Sequence, residues 1–348
     1  MILHYDNIIY SLQKAGGIST YWTELISRLL RDGADISFTE LPNQNISRAQ
    51  LFIPQNRISG LSKSSLLINR FRDLKLSDRR SDFIFHSSYN RITQNRNAHQ
   101  VITIHDFVHE KYYRGMRRYL HLYQKNKAIA LAEKILVVSE NTKKDLLAYH
   151  PKLKEGQISV INNGVSTDFF RLADKNPYSN RPYILFIGSR AYYKNFHFAV
   201  NVLAEMPDFD FYIVGSPLSV AEQQLVNAKL YNRWKVFTHV DNTRLNRIYN
   251  DAYALIYPSS YEGFGIPLVE AMNTATPFVA LNTSSIPEVA GSAGILLNQL
   301  QVDDFKEALL SIETKTPELA DAGLRQSAHF SWEKCYQQTV QVYKDMIK

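Results

Sequence analysis

The strongest constraint on the fold is a rhythm of short apolar runs alternating with helix-period segments, repeated in two series along the chain. The first series predicts strands at Ile2–Asp6, Ile36–Leu41, Phe83–Ser87, Val101–His105, Ile135–Ser139 and Ile158–Ile161. Helices are predicted at Ile18–Leu30, Arg118–Ala132 and Glu140–Ala148. The second series predicts strands at Tyr183–Ile187, Phe211–Val214, Val236–Thr238, Ala254–Tyr257, Phe278–Leu281 and Gly294–Leu297. Its helices are predicted at Phe196–Glu205, Val220–Leu230, Thr243–Asn250, Pro267–Met272 and Asp303–Ile312. Near-continuous apolar strands are those of parallel sheets covered on both faces. The alternation therefore predicts an α/β protein with two doubly wound, Rossmann-like sheets. A chain of 348 residues also exceeds what one ordinary core holds. The Pro- and Asn-rich stretch from Leu172 to Pro182 is the predicted boundary, with domains at 1–172 and 173–330.

The chemistry is densest in Tyr257-Pro-Ser-Ser-Tyr-Glu-Gly-Phe-Gly-Ile-Pro-Leu-Val-Glu270. This segment reads as a strand end, a glycine loop and a helix start. Gly263 and Gly265 allow a sharp turn or a close backbone approach to a ligand. Pro267 suits the first turn of a helix, whose free N–H groups suit a phosphate or an oxyanion. Two carboxylates beside such a helix start, Glu262 and Glu270, make little sense for a bare phosphate. They suit a ligand that also carries sugar hydroxyls, for which carboxylates are good acceptors. A plain strand–helix turn accounts for Glu270 near the helix dipole, but not for Glu262 beside two glycines. A second segment, Leu185-Phe-Ile-Gly-Ser-Arg-Ala-Tyr-Tyr-Lys-Asn195, ends another strand in Gly188 and then supplies Arg190 and Lys194. Ligands of doubly wound folds bind outside the carboxyl ends of strands, so these cations are placed to neutralise a diphosphate.

Together the two segments resemble the donor site of the family-4 retaining glycosyltransferases, which have the GT-B fold and a Glu-x7-Glu signature. The resemblance implies two Rossmann-like domains facing a cleft, with the Ser331–Lys348 segment crossing back as a helix onto the first domain. It implies that Arg190 and Lys194 stabilise the leaving nucleoside diphosphate, that Glu262 holds hydroxyls of the transferred sugar, and that Glu270 holds the ribose. Backbone groups of Gly188, Gly263, Phe264, Gly265 and Ile266 would adjoin the phosphates and sugar, and the base would lie near His239 and Val240. In the first domain, Thr103-Ile-His-Asp106 ends a strand. His105 is similar to the family's functional histidine, facing the donor sugar; Asp106 either orients it or caps a helix. Gly16 and Gly17 look like the family's glycine loop near the donor phosphates. The implied activity is a metal-independent retaining hexosyltransferase without a cofactor. It would use a nucleotide-sugar donor, with GDP-mannose the first candidate and UDP-sugars next. The acceptor would be a glycan or a lipid-diphosphate-linked oligosaccharide of polysaccharide or O-antigen synthesis. The alternatives are an epimerase or phosphorylase of the same architecture, and a nucleic-acid or anionic-surface binding protein.

Charge bears on the partners. The first 170 residues carry 24 Lys and Arg against 15 Asp and Glu, and the remainder 16 against 18, so the positive excess behind the chain's net +7 resides in the first half. That half favours an anionic partner. Nothing matches a nucleic-acid motif, and no nucleic-acid partner is expected. Leu67, Phe71 and Leu74 fall on one helical face among Lys63, Arg70, Arg72, Arg79 and Arg80, a basic amphipathic pattern suited to an anionic membrane surface or to an ordinary solvated helix. Asp208-Phe-Asp210 imitates a metal motif but enters a strand and is read as a turn; no His, Cys or Asp cluster has metal-site spacing. With Cys335 the only cysteine, no apolar span of membrane length and no signal-peptide pattern, the expected location is the cytoplasm, with peripheral attachment to the inner membrane face.

Overall fold

The computed structural model describes residues 1–60, 66–76, 81–174 and 181–347. The chain forms two compact units, Met1–Asn163 with Trp332–Lys348, and Gly164–Ser331. The first holds β1 (Ile2–Asp6), β2 (Asp35–Glu40), β3 (Ile58–Gly60), β4 (Phe83–Ser87), β5 (Ala98–Ile104), β6 (Lys134–Val137) and β7 (Ile158–Val160) in the order β3-β2-β1-β4-β5-β6-β7. The strands are parallel, with Tyr5 of β1 in register between Phe38 and His86. The second holds β8 (Tyr183–Ile187), β9 (Asp210–Val214), β10 (Trp234–Phe237), β11 (Ala254–Tyr257), β12 (Phe278–Leu281) and β13 (Ile295–Leu297) in the order β10-β9-β8-β11-β12-β13. Every residue of β4, β11 and β12 is buried, as strands covered on both faces require. In each sheet the order reverses beside the first strand, between β1 and β4 and between β8 and β11. The carboxyl ends of those pairs are where such a sheet opens a crevice.

The two doubly wound sheets are those expected. The helix Trp332–Met346 belongs to the first unit, as the GT-B expectation required. It is fastened there by Glu333, which accepts from Arg28 Nε at 3.1 Å and Arg31 Nη1 at 3.0 Å, and by Tyr336, whose hydroxyl donates to Asp32 at 2.7 Å. Residues 164–172, assigned to the first half from sequence, lie in the second unit. Val165 pairs with Ser331, and the N–H groups of Phe170 and Leu172 donate to Asn246 (3.1 Å) and Asn250 (2.7 Å).

Some details differ from expectation. β3 is a seventh strand in the first sheet, a three-residue edge with too few apolar residues to show a period. The amphipathic face of Leu67, Phe71 and Leu74 does not form on one helix, which spans only Leu66–Phe71. Beyond it the backbone turns away, because Leu74 pairs with Thr93 as an isolated bridge and is buried. Lys63, Arg79 and Arg80 of that pattern lie outside the described residues. Asp210 begins β9, and its N–H bonds Pro182 O at 3.0 Å, so the Asp208–Asp210 pair stands at a strand entrance.

Candidate functional site

In the second unit, chemistry gathers at the carboxyl ends of β8 and β11. Gly188 leaves β8 with φ +125°, a conformation costly for any other residue. The chain then makes a single turn at Tyr192–Lys194 and enters the helix Phe196–Ala204 through Asn195, which has φ +53°. The Asn195 amide staples this loop to the one after β11, donating to Pro258 O at 2.8 Å and Ser260 Oγ at 2.7 Å, while the Ser260 N–H donates to Tyr193 O at 2.8 Å. The staple sets Lys194 Nζ on Glu262 Oε1, a pair whose side chains are only 14% and 10% exposed. Glu262 is fixed from behind: its N–H donates to Ser284 Oγ (2.9 Å), and Ser285 Oγ donates to the carbonyls of Glu262 (3.0 Å) and Phe264 (2.9 Å).

Gly263 and Phe264 lead into Gly265, whose φ of +105° turns the backbone into the helix Ile266–Asn273. Among the described residues no side chain caps that helix start; Pro267 has no N–H and the Leu268 N–H donates to Gly265 O at 2.9 Å, so the Ile266 N–H is the first-turn group left for a ligand. Glu270 lies one turn in. Its Oε2 accepts from the Tyr249 hydroxyl at 2.7 Å, and burial pushes its carboxyl up to about 7 against that bond. Tyr257, at the end of β11, was missed from sequence because it reads as the last residue of an apolar strand. It is buried, and its ring centre is 5.6 Å from Lys194 Nζ. Burial and the Glu262 charge raise its hydroxyl well above the ordinary tyrosine value.

Arg190 sits differently from Lys194. Its Nε donates to Glu222 Oε1 at 2.9 Å and its Nη2 to Pro217 O at 2.6 Å, while Nη1 is buried without a partner. Its charge is therefore held in place by Glu222 and Pro217. Val240, half-buried, follows His239 (φ +53°) beyond the end of β10. Among the sequence-predicted residues of this unit, the structure gathers Lys194, Glu262 and the turn from Gly263 to Ile266, and turns Arg190 toward Glu222.

His105, Gly16 and Gly17 belong to the first unit. Gly16 and Gly17 are exposed at the start of the helix Gly17–Arg31, and a Cβ on Gly16 would meet Gln13 Oε1 at 2.7 Å. His105 lines a solvent-open cleft at the carboxyl ends of β4 and β5, together with Ser88, Tyr89, Asn90, His109 and His121. Burial lowers His105 to about 4, with Asp106 opposing and Lys125 reinforcing, so its imidazole is neutral near pH 7. Asp106 acts as a cap, its Oδ1 accepting from the Val108 N–H at 3.0 Å.

Behind His105 runs a buried polar chain that the sequence reading did not single out. Tyr343 of the last helix meets Tyr5 (2.6 Å) and His86 Nδ1 (2.5 Å); His86 Nε2 meets Thr103 Oγ1 (2.9 Å); Thr103 meets the Tyr21 hydroxyl (3.2 Å). The Tyr21 ring then stands edge-on to His105 at 4.9 Å. A histidine inside the otherwise apolar run of β4 was the visible signal. Among the described residues, no group of three or more His, Cys, Asp or Glu is arranged to hold a metal ion.

Comparison with known proteins places both halves. Residues 15–169 match the family described as Glycosyltransferase Family 4, and residues 169–326 match Glycosyl transferases group 1. The chain is 38% identical over 125 residues to O-antigen chain mannosyltransferase B of Escherichia coli, covering 35% of this chain and 33% of that protein. It is 28% identical over 228 residues to O-antigen chain mannosyltransferase RfbU of Salmonella typhimurium, covering 62% and 61%. Matched segments thus span about a third of the first relative and about three fifths of the second. Among solved structures, sucrose-phosphate synthase of Thermosynechococcus elongatus superposes with a TM-score of 0.79 over 100% of this chain and 99% of that one, at 18% identity, a likeness of fold.

Proposed function

The chain belongs to the family-4, group 1 glycosyltransferases, and from that premise we propose that it moves a hexosyl group from a nucleotide-sugar to a glycan or lipid-linked oligosaccharide in surface-polysaccharide synthesis. The observation that carries the proposal is the joint placement of the Lys194–Glu262 pair and the uncapped start of the helix Ile266–Asn273. A cation beside a helix N-terminus suits a diphosphate, and a carboxylate beside both suits the adjoining sugar hydroxyls. In this reading Glu270 receives the ribose, with Tyr249 orienting its carboxylate. As the glycosidic bond breaks, negative charge grows on the departing diphosphate. Lys194 and the helix start meet that charge already in place, and Arg190, held by Glu222, adds a fixed positive field. The backbone turn from Gly263 to Ile266 approaches the distal phosphate and sugar, Gly188 leaves room beside it, and Val240 adjoins the base. In the first unit, His105 offers a neutral hydrogen-bonding imidazole to a sugar at the carboxyl ends of β4 and β5, and Gly16 and Gly17 leave the start of the helix Gly17–Arg31 open.

Transfer with retention, without a metal and from GDP-mannose, completes the proposal; two relatives named as mannosyltransferases support the choice of sugar. Peripheral attachment to an anionic membrane face also belongs to it. The positive excess of the first half supports this, as do Met116, Tyr119 and Tyr123, 71%, 67% and 63% exposed on the helix Met116–Leu131. No described helix is long and apolar enough to cross a membrane.

The test incubates the protein with GDP-mannose and UDP-sugars separately, with and without polysaccharide-lipid extract and with a chelator present. Acceptor-dependent release of GDP, with a product of unchanged anomeric configuration by NMR, is expected. Donor conversion without acceptor would replace transfer by epimerisation, and release that the chelator abolishes would remove the metal-free mechanism.

A further inference from the structure

We propose that Thr283, Ser284 and Ser285, just after β12, form a hydroxyl clamp on the loop that carries Glu262, and that Ser284 and Ser285 are positioning residues for the transferred sugar. The proposal rests on the reading of Glu262 as the carboxylate that holds that sugar, while the clamp itself follows from the turn after β12.

That turn is anchored to the sheet. The Asn282 N–H extends the pairing of β12 with β13 by donating to Leu297 O at 2.7 Å, and the Ile286 N–H closes the turn on Thr283 O at 3.1 Å. Ser284 and Ser285 are its two central residues. From this base three consecutive side chains reach the loop after β11. Thr283 Oγ1 donates to Ser260 O at 3.4 Å, Ser284 Oγ accepts from the Glu262 N–H at 2.9 Å, and Ser285 Oγ donates to the carbonyls of Glu262 (3.0 Å) and Phe264 (2.9 Å). Gly263, of the residue type with the most backbone freedom, lies between the two carbonyls that converge on the fully buried Ser285. Lys194 meets the carboxylate of Glu262. The clamp holds its backbone at both the N–H and the carbonyl.

Ser284 is the strained member. Its φ is +51°, in the left-handed region where a side chain is costly. A positive φ at the first central position of a turn is ordinarily glycine's. Ser285, with φ −80° and ψ −7°, has no such strain. Glycine at 284 would relax the backbone but would leave the Glu262 N–H without its acceptor. A strained residue held by its surroundings beside a candidate ligand loop points to a role in the site beyond stability. Ser284→Gly therefore separates the two: it relieves strain while it loosens Glu262.

The test compares the full chain with Ser284→Gly, Ser284→Ala, Ser285→Ala and Glu262→Ala. Ser284→Ala keeps the strain and loses the bond, and should lower Tm by about 2–4 °C. Ser284→Gly exchanges one for the other and should stay within about 2 °C of the wild type. Calorimetric titration of GDP-mannose against GDP, and of UDP-glucose against UDP, gives the affinity added by the sugar. Each serine variant is expected to weaken the nucleotide-sugar about tenfold relative to its nucleoside diphosphate, the size of one hydrogen bond to a charged group, and Ser284→Gly does so at near wild-type Tm. A wild-type ratio in Ser284→Gly, with the sugar's added affinity lost in Glu262→Ala, overturns the clamp and leaves the transferase reading standing. Should the wild type bind no nucleotide, or gain nothing from the sugar, the reading of Glu262 fails and amide exchange decides the clamp by itself. In chains labelled with 15N-glutamate, Ser284→Gly should speed exchange of the Glu262 N–H about tenfold; an unchanged rate overturns the clamp.

Discussion

Replacing Lys194 with alanine separates a structural from a catalytic role for the Lys194–Glu262 pair. An exposed ion pair is worth about 0–1 kcal/mol, whereas breaking a buried one costs about 3–5 kcal/mol because a charge is left uncompensated. With side chains 14% and 10% exposed, this pair lies between those limits, and a loss of about 2 kcal/mol follows. For a domain of this size that lowers Tm by about 4–8 °C. The double variant Lys194→Ala/Glu262→Ala removes the stranded carboxylate and recovers most of that loss. Activity follows a different course. Losing a preorganised charge at the leaving group costs kcat about 10²–10³-fold, and the double variant is no better than the single. Calorimetry gives the stability and release of nucleoside diphosphate gives the activity. Recovery of turnover together with Tm in the double variant would show that Lys194 only holds Glu262 in place, and would refute the role given to it at the diphosphate.

Glu270 sets a pH dependence. Its carboxyl is raised from 4.5 to about 7, so in that window the folded state binds the proton more tightly than the unfolded state. Its contribution to stability therefore falls as pH rises from about 4.5 to 7 and is level above; Glu270→Gln should gain on the wild type by up to about 3 kcal/mol across that window, read as the difference in Tm. If the ionised carboxylate holds the ribose, nucleotide affinity of the wild type should also rise through pH 7 while that of Glu270→Gln stays flat in calorimetric titration. Tyr343→Phe strands the hydroxyl of Tyr5 and Nδ1 of His86 in the interior and should cost about 1–3 kcal/mol in denaturant unfolding; an unchanged midpoint would show that chain to be idle. Gly294→Ala would put a methyl 2.1 Å from the buried Phe278 ring, and a loss of about 1–3 kcal/mol is expected by thermal unfolding.

Much of this architecture was legible because parallel strands covered on both faces announce themselves as apolar runs. β4, β8, β11 and β12 fall where the sequence put them. Elements lacking that contrast were lost: β3 is a three-residue edge, and the helix Ile312–Ser327 carries Thr, Pro and Gly, which blur its period. At the site, the loop from Glu262 to Ile266 could be read because glycine and proline carry local geometry. The partners that set its electrostatics could not. Arg190 finds Glu222, 32 residues on, and Glu270 finds Tyr249, 21 residues back; no local period encodes such pairings. Tyr257 was hidden for the opposite reason, since it lies at the end of an apolar run that explains its burial and says nothing of its hydroxyl.

The most direct measurement is a crystal structure of the chain with a bound nucleoside diphosphate. The distal phosphate should rest at the start of the helix Ile266–Asn273, on the Ile266 N–H, with Lys194 Nζ in contact and a ribose hydroxyl on Glu270. A nucleotide seated elsewhere in the chain, with the Lys194–Glu262 pair untouched, would contradict the account.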